Sequence, residues 1–197
     1  MASAPVSFLT TEQYLEIEEH AECKSEYWDG HMYAMAGGTP RHSDASSGAL
    51  TAIRNRLKGK RCGVFNSDLR LRDPQNKFYT YPDIAIVCAE PQYGPRHTLT
   101  NPLVLVEVLS PSTEAHDRGF KFERYQHITT LNDYVLISQE KPRVEVFSRQ
   151  PNGSWSYQAF EGLQASAPIP AVDVDLPLSE IYDGVTFADW FKPDPGA

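Results

Sequence analysis

One uninterrupted apolar segment constrains the fold of this chain more than any other feature. Leu103 to Leu109 contains a single charged residue, Glu107, and lies between Pro102 and Pro111. An apolar run of this length without polar alternation is typical of a β-strand that is buried on both faces. An ionised carboxylate in such a strand is costly unless it is paired with a cation. We therefore expect a cationic partner for Glu107; the alternatives are an exposed strand end or a structural arginine.

The composition limits the classes of protein that remain. The chain has 197 residues, 22% of them charged and 11% aromatic, which predicts one folded domain over 1–197 with its core at about 24–160. A net charge of −8 argues against coating nucleic acid by bulk electrostatics, so a polyanion would need a local basic patch or a bound metal.

Cysteine spacing and hydropathy suggest a compartment. Cys23, Cys62 and Cys88 lie far apart without a Cys-x-x-Cys pair, which indicates neither a disulfide framework nor a zinc site and suits a reducing, cytoplasmic environment. The first ten residues lack the basic and apolar regions of a secretion signal, and no apolar run approaches the roughly 18–20 residues of a membrane span.

Turn residues, alternation and helical stripes predict the remaining elements. A β-hairpin is predicted over 24–36, because Asp29-Gly30 is a typical two-residue turn. This turn pairs Trp28 with His31 and Glu26 with Tyr33. Helices are predicted over 12–19, 42–58 and 114–127, strands over 62–72, 79–88, 103–109, 134–138, 143–148 and 155–160, and a short amphipathic piece over 187–191.

The second predicted helix ends in the only basic cluster of this acidic chain, residues 54–61. A nucleic-acid patch is one interpretation. The other is a set of cations that complements the dipole at a helix C-terminus.

The helix after the central strand supplies the cation that Glu107 requires. At about 100° per residue, Lys121 falls within the apolar arc that includes Phe120 and Tyr125, and Asp117 lies on the same side one turn earlier. A helix that follows a buried strand packs its apolar arc on the sheet. We therefore expect Lys121 to point towards Glu107; the alternative is a side chain that extends to the helix edge.

Asp83 supplies a second carboxylate beside the central strand. Pro82 lacks an N–H group and fits the first residues of a strand, which places Asp83 at a strand start. Two carboxylates suit Mg²⁺ or Mn²⁺, with the backbone carbonyl of Val108 available as a third ligand. Such a metal activates water, and the ammonium group of Lys121 stabilises developing negative charge. This chemistry suits hydrolysis of a phosphodiester.

At these residues the sequence resembles the PD-(D/E)XK nuclease superfamily and, within it, the Uma-two family of restriction-endonuclease-like proteins. The resemblance runs from about 24 to 147. The segments that carry it are Glu26-Tyr-Trp-Asp-Gly30, His42 at a helix start, Tyr81-Pro-Asp83, Val106-Glu-Val-Leu-Ser-Pro-Ser-Thr113, and Asp117-Arg-Gly-Phe-Lys121 with Tyr125. The superfamily pattern would put lysine at 109, where this chain has Leu109, but the family moves the lysine onto the following helix, where Lys121 lies.

The resemblance implies an α/β, restriction-endonuclease-like fold. Its central mixed β-sheet of four or five strands would be flanked by helices, with the hairpin at its N-terminal side. It also implies a homodimer.

Three further residues are candidates for auxiliary roles. Glu26 matches a family position and could bind metal or water; the alternative is a cross-strand pair exposed to solvent. His42 also matches and could donate a proton to the leaving oxygen; the alternative is an ordinary polar residue at a helix start. Asp68 could orient the metal ligands without contacting the metal itself, or could pair with Arg70 or Arg72.

The sequence therefore predicts a metal-dependent endonuclease that acts on DNA, with Asp83, Glu107 and Lys121 at its centre. The rival hypothesis is a catalytically inactive nuclease fold that serves as a dimeric binding or structural module, which the net charge of −8 favours. A serine hydrolase using Ser110 or Ser112 is disfavoured, because no Gly-x-Ser-x-Gly turn surrounds either serine.

Overall fold

The computed structural model describes residues 8–35, 37–185 and 187. The helices are α1 Thr11–His20, α2 Pro40–Leu57, α3 Glu114–His116, α4 Phe122–Tyr125 and α5 Leu178–Ile181, with a π-helical segment Asp117–Lys121 between α3 and α4 and 3-10 turns at Pro95–His97 and Pro170–Val172. The strands are β1 Ser25–Trp28, β2 His31–Ala34, β3 Gly63–Asn66, β4 Leu71–Arg72, β5 Phe78–Thr80, β6 Ile84–Val87, β7 Tyr93–Gly94, β8 Thr98–Leu99, β9 Val104–Leu109, β10 Asp133–Ser138, β11 Arg143–Arg149, β12 Trp155–Glu161, β13 Ser166–Ile169 and β14 Val174–Pro177. Within these ranges no helix is long and apolar enough to cross a membrane.

Two six-stranded sheets carry the architecture. The central sheet has the order β12-β11-β10-β9-β6-β3, and the outer sheet has the order β2-β1-β5-β4-β8-β7. In the central sheet β9 and β10 are parallel and the other neighbours are antiparallel, so the sheet is mixed. The expected α/β fold with a central mixed sheet is confirmed, but this sheet has six strands rather than four or five, because β12 and β3 extend its two edges.

The central strand β9 is buried on both faces, as its sequence predicts. All six of its residues are buried. Leu105 and Leu109 of this strand pack in the core that includes Tyr125 of α4. The other face packs in the core that includes α2, through Val104, Val106 and Val108. Because side chains alternate along a strand, Glu107 points to the same side as Leu105 and Leu109, towards α3 and α4.

The chain passes from the outer sheet to the central sheet at Tyr81-Pro82-Asp83. Strand β5 ends at Thr80 in one sheet, and β6 begins at Ile84 in the other. The single strand expected over 79–88 is therefore wrong. Pro82 cannot donate to a ladder, so the change of sheet falls where the hydrogen bonding is already interrupted.

A turn also divides the strand expected over 62–72. The N–H of Leu69 donates to the carbonyl of Asn66 at 3.2 Å, and the N–H of Asp68 donates to the side-chain oxygen of Asn66 at 3.2 Å. These bonds form an Asx-type turn that separates β3 from β4. Polar and apolar residues continue to alternate through this turn, so alternation alone does not reveal it.

Helix α2 begins earlier than the expected start at His42 or Ser43. Its first residue is Pro40, and the hydroxyl of Thr39 accepts the N–H of His42 at 3.2 Å. Proline fits this first position because its missing N–H would have no partner there. Farther along, α2 lies so close to α5 that a Cβ at Gly48 would be 2.1 Å from the carbonyl oxygen of Ile181, so the approach requires glycine.

The basic cluster at the end of α2 is used to hold the fold together. Arg54 donates to the carbonyl of Val64 at 2.9 Å, and Lys60 donates to the carbonyl of Val172 at 2.9 Å. Arg56 pairs with Glu180 at 2.5 Å. These contacts favour the structural interpretation of residues 54–61 over a nucleic-acid patch.

A disulfide joins Cys62 to Cys88, with their Cα atoms 4.0 Å apart. Gly63 pairs with Val87 between β3 and β6, so the same antiparallel register sets Cys62 opposite Cys88. The expectation of unpaired cysteines is wrong, because residues 26 apart in sequence become cross-strand neighbours. Cys23 is exposed and free. The disulfide removes the basis on which a reducing compartment was inferred.

Among the remaining elements, the N-terminal helix and hairpin follow the sequence closely, whereas the loop expected over 90–100 is wrong, because it contains β7, a 3-10 turn and β8. Helix α1 is capped by Thr10, and the hairpin has the expected register, with Trp28 opposite His31 and Glu26 opposite Tyr33. The β13–β14 hairpin and α5 are not predicted by the sequence pattern. The amphipathic piece expected over 187–191 lies outside the described residues except for position 187.

Candidate active site

Lys121 lies at the centre of a buried group of carboxylates. Its side chain is only 7% exposed. Its Nζ is 3.2 Å from Oε1 of Glu107, 3.2 Å from Oε1 of Glu26 and 3.1 Å from Oδ1 of Asp117. The predicted inward direction of Lys121 is therefore observed, and its extension to the helix edge is excluded by burial. We call Lys121, Glu26, Glu107 and Asp117 the lysine cluster.

The helical segment after β9 brings Asp117 and Lys121 to the same side. Both residues lie in the π-helical segment, four positions apart, and both are buried. Phe122 and Tyr125 continue the segment into α4. Short π-helical turns are rare and occur frequently at functional sites. Here the turn directs the ammonium group towards the carboxylate of the central strand.

Glu107 is held through one of its two oxygens. The hydroxyl of Tyr125 donates to Oε1 at 2.7 Å, and Lys121 donates to the same oxygen at 3.2 Å. Burial raises the pKa of Glu107, Lys121 opposes this rise, and the charges of Asp117 and Asp83 add to it.

The pKa of Lys121 is also raised, well above its ordinary value. Burial lowers this pKa, but the charges of Glu107, Glu26 and Asp117 outweigh burial. Burial is the largest cause of the raised pKa of Glu107, and an excess of negative charge adds to it and also raises the pKa of Lys121. Three carboxylates share a single ammonium group, and Oδ1 of Asp117 is buried without a well-oriented hydrogen bond from the described residues.

Asp83 lies opposite Glu107 at the end of the β6–β9 ladder. The last paired residues are Ile84 and Val106, so the register sets Asp83 against Glu107 one step farther on. Side chains of directly opposed residues share a face and lie about 4.5–5.5 Å apart at Cβ. The N–H of Val108 donates to Oδ2 of Asp83 at 2.7 Å, which fixes the carboxylate.

His42 lies beside Asp83 at the start of α2. Its Nε2 is 3.3 Å from Oδ2 of Asp83. The hydrogen bond to Asp83 raises the pKa of His42, burial lowers it, and the charge of Asp83 and the backbone of Val108 raise it further. The structure thus brings His42, Asp83 and Val108 together. The role of the Val108 carbonyl as a metal ligand stays a prediction.

Glu26 reaches the lysine cluster from the hairpin. Its Oε1 accepts from the hydroxyl of Thr80 at 2.5 Å, and its Oε2 is 3.3 Å from Nε2 of His116. Burial raises the pKa of Glu26, but the hydrogen bond from His116 and the charge of Lys121 outweigh burial and lower it to about 2. Glu26, whose side chain is 13% exposed, is therefore a partly buried member of the lysine cluster rather than a solvent-exposed cross-strand pair.

Asp68 does not join this group. Its side chain is 75% exposed and pairs with Lys24 at 2.5 Å. Arg70 contacts Thr98 and Tyr81 instead. Neither predicted role of Asp68 matches this placement, because the turn at 66–69 directs the carboxylate outwards.

Within the ranges that the structure describes, one carboxylate oxygen each of Asp83 and Glu107 has no hydrogen bond and is available to bind a hard cation. Among the described residues, no hydrogen bond reaches Oδ1 of Asp83 or Oε2 of Glu107, since their partners all contact the other oxygen. Carboxylate oxygens are the ligands that Mg²⁺ prefers, and it commonly takes one or two of them together with waters and substrate phosphate. The described part of the chain has no group of three or more His, Cys, Asp or Glu side chains arranged for a metal. A site here would rest on two carboxylates.

Sequence reasoning assigned no site role to three residues of the arrangement: Asp117, Tyr125 and His116. Asp117 could have been found, because it lies four residues before Lys121 on the same helical side. Tyr125 follows Lys121 by four residues, so the same spacing would have placed its hydroxyl near Glu107. His116 gave no signal, since its contact with Glu26 joins positions 90 apart in sequence.

The depressed pKa of Glu26 predicts a loss of stability in acid. Its folded pKa is about 2 and its ordinary value 4.5, so its contribution is complete above pH 4.5 and is lost as pH falls towards 2. The shift corresponds to about 3 kcal/mol. Urea unfolding at several pH values should show a steeper acid loss for wild type than for Glu26→Gln. The exposed Glu22→Gln should behave as wild type; equal acid slopes for wild type and Glu26→Gln would contradict the prediction.

The model of one protein family matches most of the chain. The model of the Uma2 (Uma-two) family, described as "Putative restriction endonuclease", matches residues 11–179. Two uncharacterized proteins of Synechocystis sp. (strain ATCC 27184 / PCC 6803 / Kazusa) are also similar. One is 37% identical over 188 residues, which cover 94% of this chain and 97% of the relative. The other is 31% identical over 167 residues, which cover 84% and 94%.

A solved structure has a similar fold. It is the crystal structure of "a putative nuclease belonging to DUF820" from Anabaena variabilis ATCC 29413. The TM-score is 0.71 at 19% identity, with 88% of this chain and 97% of the other covered. At this identity the likeness shows the fold alone, and that fold is restriction-endonuclease-like.

Proposed function

Because this chain belongs to the Uma2 family, described as putative restriction endonucleases, we propose that it is a metal-dependent nuclease that hydrolyses phosphodiester bonds of DNA. One observation carries the proposal. Asp83 and Glu107 face each other on adjacent strands, and each has one oxygen fixed by the protein and one without a hydrogen bond from the described residues. Two such oxygens are what a hard divalent cation requires from its protein site.

Asp83 and Glu107 would hold Mg²⁺ or Mn²⁺, with the Val108 carbonyl as the third ligand. When bound, this ion supplies Lewis acidity and makes a coordinated water easier to deprotonate. The chain's own contribution is to fix the two carboxylates. The Val108 N–H holds Asp83, and Tyr125 with Lys121 holds Glu107.

Lys121 and His42 have distinct roles in this proposal. The ammonium group of Lys121 stabilises the negative charge that develops on the phosphoryl oxygens, and its raised pKa keeps it protonated at neutral pH. Glu26 and Asp117 orient this ammonium group. His42 has a raised pKa and lies beside Asp83, so it can donate a proton to the leaving oxygen.

Metal binding and cleavage test the proposal together. Calorimetry should detect Mn²⁺ binding to wild type, and the protein should nick supercoiled DNA with Mg²⁺ or Mn²⁺. Asp83→Asn and Glu107→Gln should each reduce nicking at least roughly a hundredfold, because each removes a charged ligand. Asp68→Asn is the matched control, since this acid is exposed and outside the cluster.

Two outcomes would overturn the proposal. Nicking that survives in both Asp83→Asn and Glu107→Gln would come from a contaminant. Wild type that neither binds Mn²⁺ nor cleaves DNA would favour the inactive binding or structural module, which the net charge of −8 also favours. The homodimer stays a prediction, which light scattering tests. The cytoplasmic location also stays a prediction, now without the argument from unpaired cysteines, and fractionation of cells tests it.

A further inference from the structure

Two exposed rings flank Glu26 at the opening of the proposed site. Tyr33 lies directly opposite Glu26 in the β1–β2 hairpin, and it is 50% exposed. His116, whose side chain is 43% exposed, has its Nε2 3.3 Å from Oε2 of Glu26. We call the surface formed by Tyr33, Glu26 and His116 the site mouth. Tyr33 therefore presents an exposed aromatic ring directly across the hairpin from Glu26, which belongs to the lysine cluster.

The rings of the site mouth are supported by packed aromatic side chains. His116 stacks on Phe120, with centroids 5.0 Å apart and planes inclined by 23°. Trp28 packs against Phe120 at 4.4 Å. On the other strand, His31 lies beside Tyr33 with centroids 6.4 Å apart. Tyr33 thus lies beside His31 with half of its surface exposed to solvent.

Four cations near the site mouth are already engaged: Arg124 lies over the rings of Phe120 and Trp28, 5.3 and 5.8 Å from their centroids, and three others have carboxylate partners. Lys24 pairs with Asp68 at 2.5 Å, and Arg118 pairs with Glu114 at 2.7 Å as well as with Glu145. Lys121 is surrounded by three carboxylates. Duplex binding draws most of its affinity from free Lys and Arg that displace counterions from phosphates. Cations that are already paired, in a chain of net charge −8, supply little of this affinity.

We propose that Tyr33 is the stacking platform for an unpaired nucleobase beside the scissile phosphate, and that the preferred substrate is a single-stranded nucleic acid. The inference rests on the proposed nuclease function and narrows its substrate. Bases inside a duplex are covered on both faces by their neighbours, whereas an unpaired base can stack on an exposed ring. Aromatic stacking binds single strands without needing many free cations.

Fluorescence anisotropy with labelled oligonucleotides of about 16 nucleotides tests this inference. Ca²⁺ replaces Mg²⁺ so that binding is measured apart from cleavage. Wild type should bind the single strand more tightly than the duplex of the same sequence. Tyr33→Ala should weaken single-strand binding about 5- to 150-fold, and Tyr33→Phe should retain it because the ring remains. Comparing the affinity for a DNA strand with that for an RNA strand of the same sequence shows which of the two nucleic acids supplies the unpaired base.

The matched control is Tyr93→Ala. Tyr93 is 49% exposed, but its strand β7 forms the opposite edge of the outer sheet from β2. Equal effects of Tyr33→Ala and Tyr93→Ala, tighter binding of the duplex, or no binding of either form would each overturn the inference. A protein that binds single strands through Tyr33 but does not cleave with Mg²⁺ or Mn²⁺ would instead refute the nuclease function and leave this platform in place.

Discussion

Replacing Lys121 with methionine should lower the free energy of unfolding by about 3–5 kcal/mol at neutral pH. Methionine preserves most of the side-chain volume but removes the only ammonium group among Glu26, Glu107 and Asp117. The variant would bury carboxylates without a counter-charge, and breaking a buried ion group in this way is far more costly than losing a surface pair. Urea unfolding followed by circular dichroism measures the difference.

Two further measurements separate this cause from a general packing defect. Lowering the pH to about 5 should reduce the penalty, because protonation removes the uncompensated charge. Lys141→Met is the matched control, since Lys141 pairs with Glu161 at 3.2 Å but both side chains are exposed. It should change stability little. An unfolding midpoint of Lys121→Met equal to that of wild type would show that the amine is not enclosed by the three acids.

Removing the disulfide should lower the free energy of unfolding by about 3–4 kcal/mol, because the unfolded chain gains the conformational entropy that closing a loop of this size removes. Cys62 and Cys88 are 26 residues apart and close a loop that contains β3 to β6. The double variant Cys62→Ser/Cys88→Ser should unfold at lower urea than wild type under non-reducing conditions. Adding dithiothreitol should destabilise wild type but leave the double variant unchanged.

Thiol titration of the urea-unfolded chain checks the pairing directly. Without reductant it should find the single thiol of Cys23, and after reduction all three cysteines. Cys23→Ser is the control for stability, because Cys23 is exposed and outside the loop. Three reactive thiols in the unreduced protein would contradict the disulfide.

The features that the sequence predicts best are those determined by neighbouring residues. Asp29-Gly30 sets the hairpin register, so the opposition of Glu26 and Tyr33 follows from counting along the chain. The direction of Lys121 follows from helix geometry, and the burial of Glu107 follows from the apolar run that surrounds it. In each case a local rule determines where one side chain points.

Features that depend on which distant strands meet are not determined in this way. The Cys62–Cys88 pair requires the β3–β6 register, and spacing alone does not supply it. The division of the strands over 62–72 and 79–88 between two sheets depends on a turn and on Pro82, whose effects on topology are not local. The contact of His116 with Glu26 likewise joins elements that only the fold brings together.

The π-helical segment makes the geometry of the cluster depend on chain length as well as residue type. It accommodates one residue more per turn than an α-helix would, and Gly119 within it has open space around its Cα. Deleting Gly119 would leave every chemically important side chain in place along the sequence. The turn would nevertheless lose the residue that the π-helical segment accommodates, and Asp117 and Lys121 would be three rather than four positions apart. Relatives with an identical set of polar residues but a one-residue gap in this helix would therefore not share the same arrangement, and an alignment should be inspected for gaps before these side chains are equated.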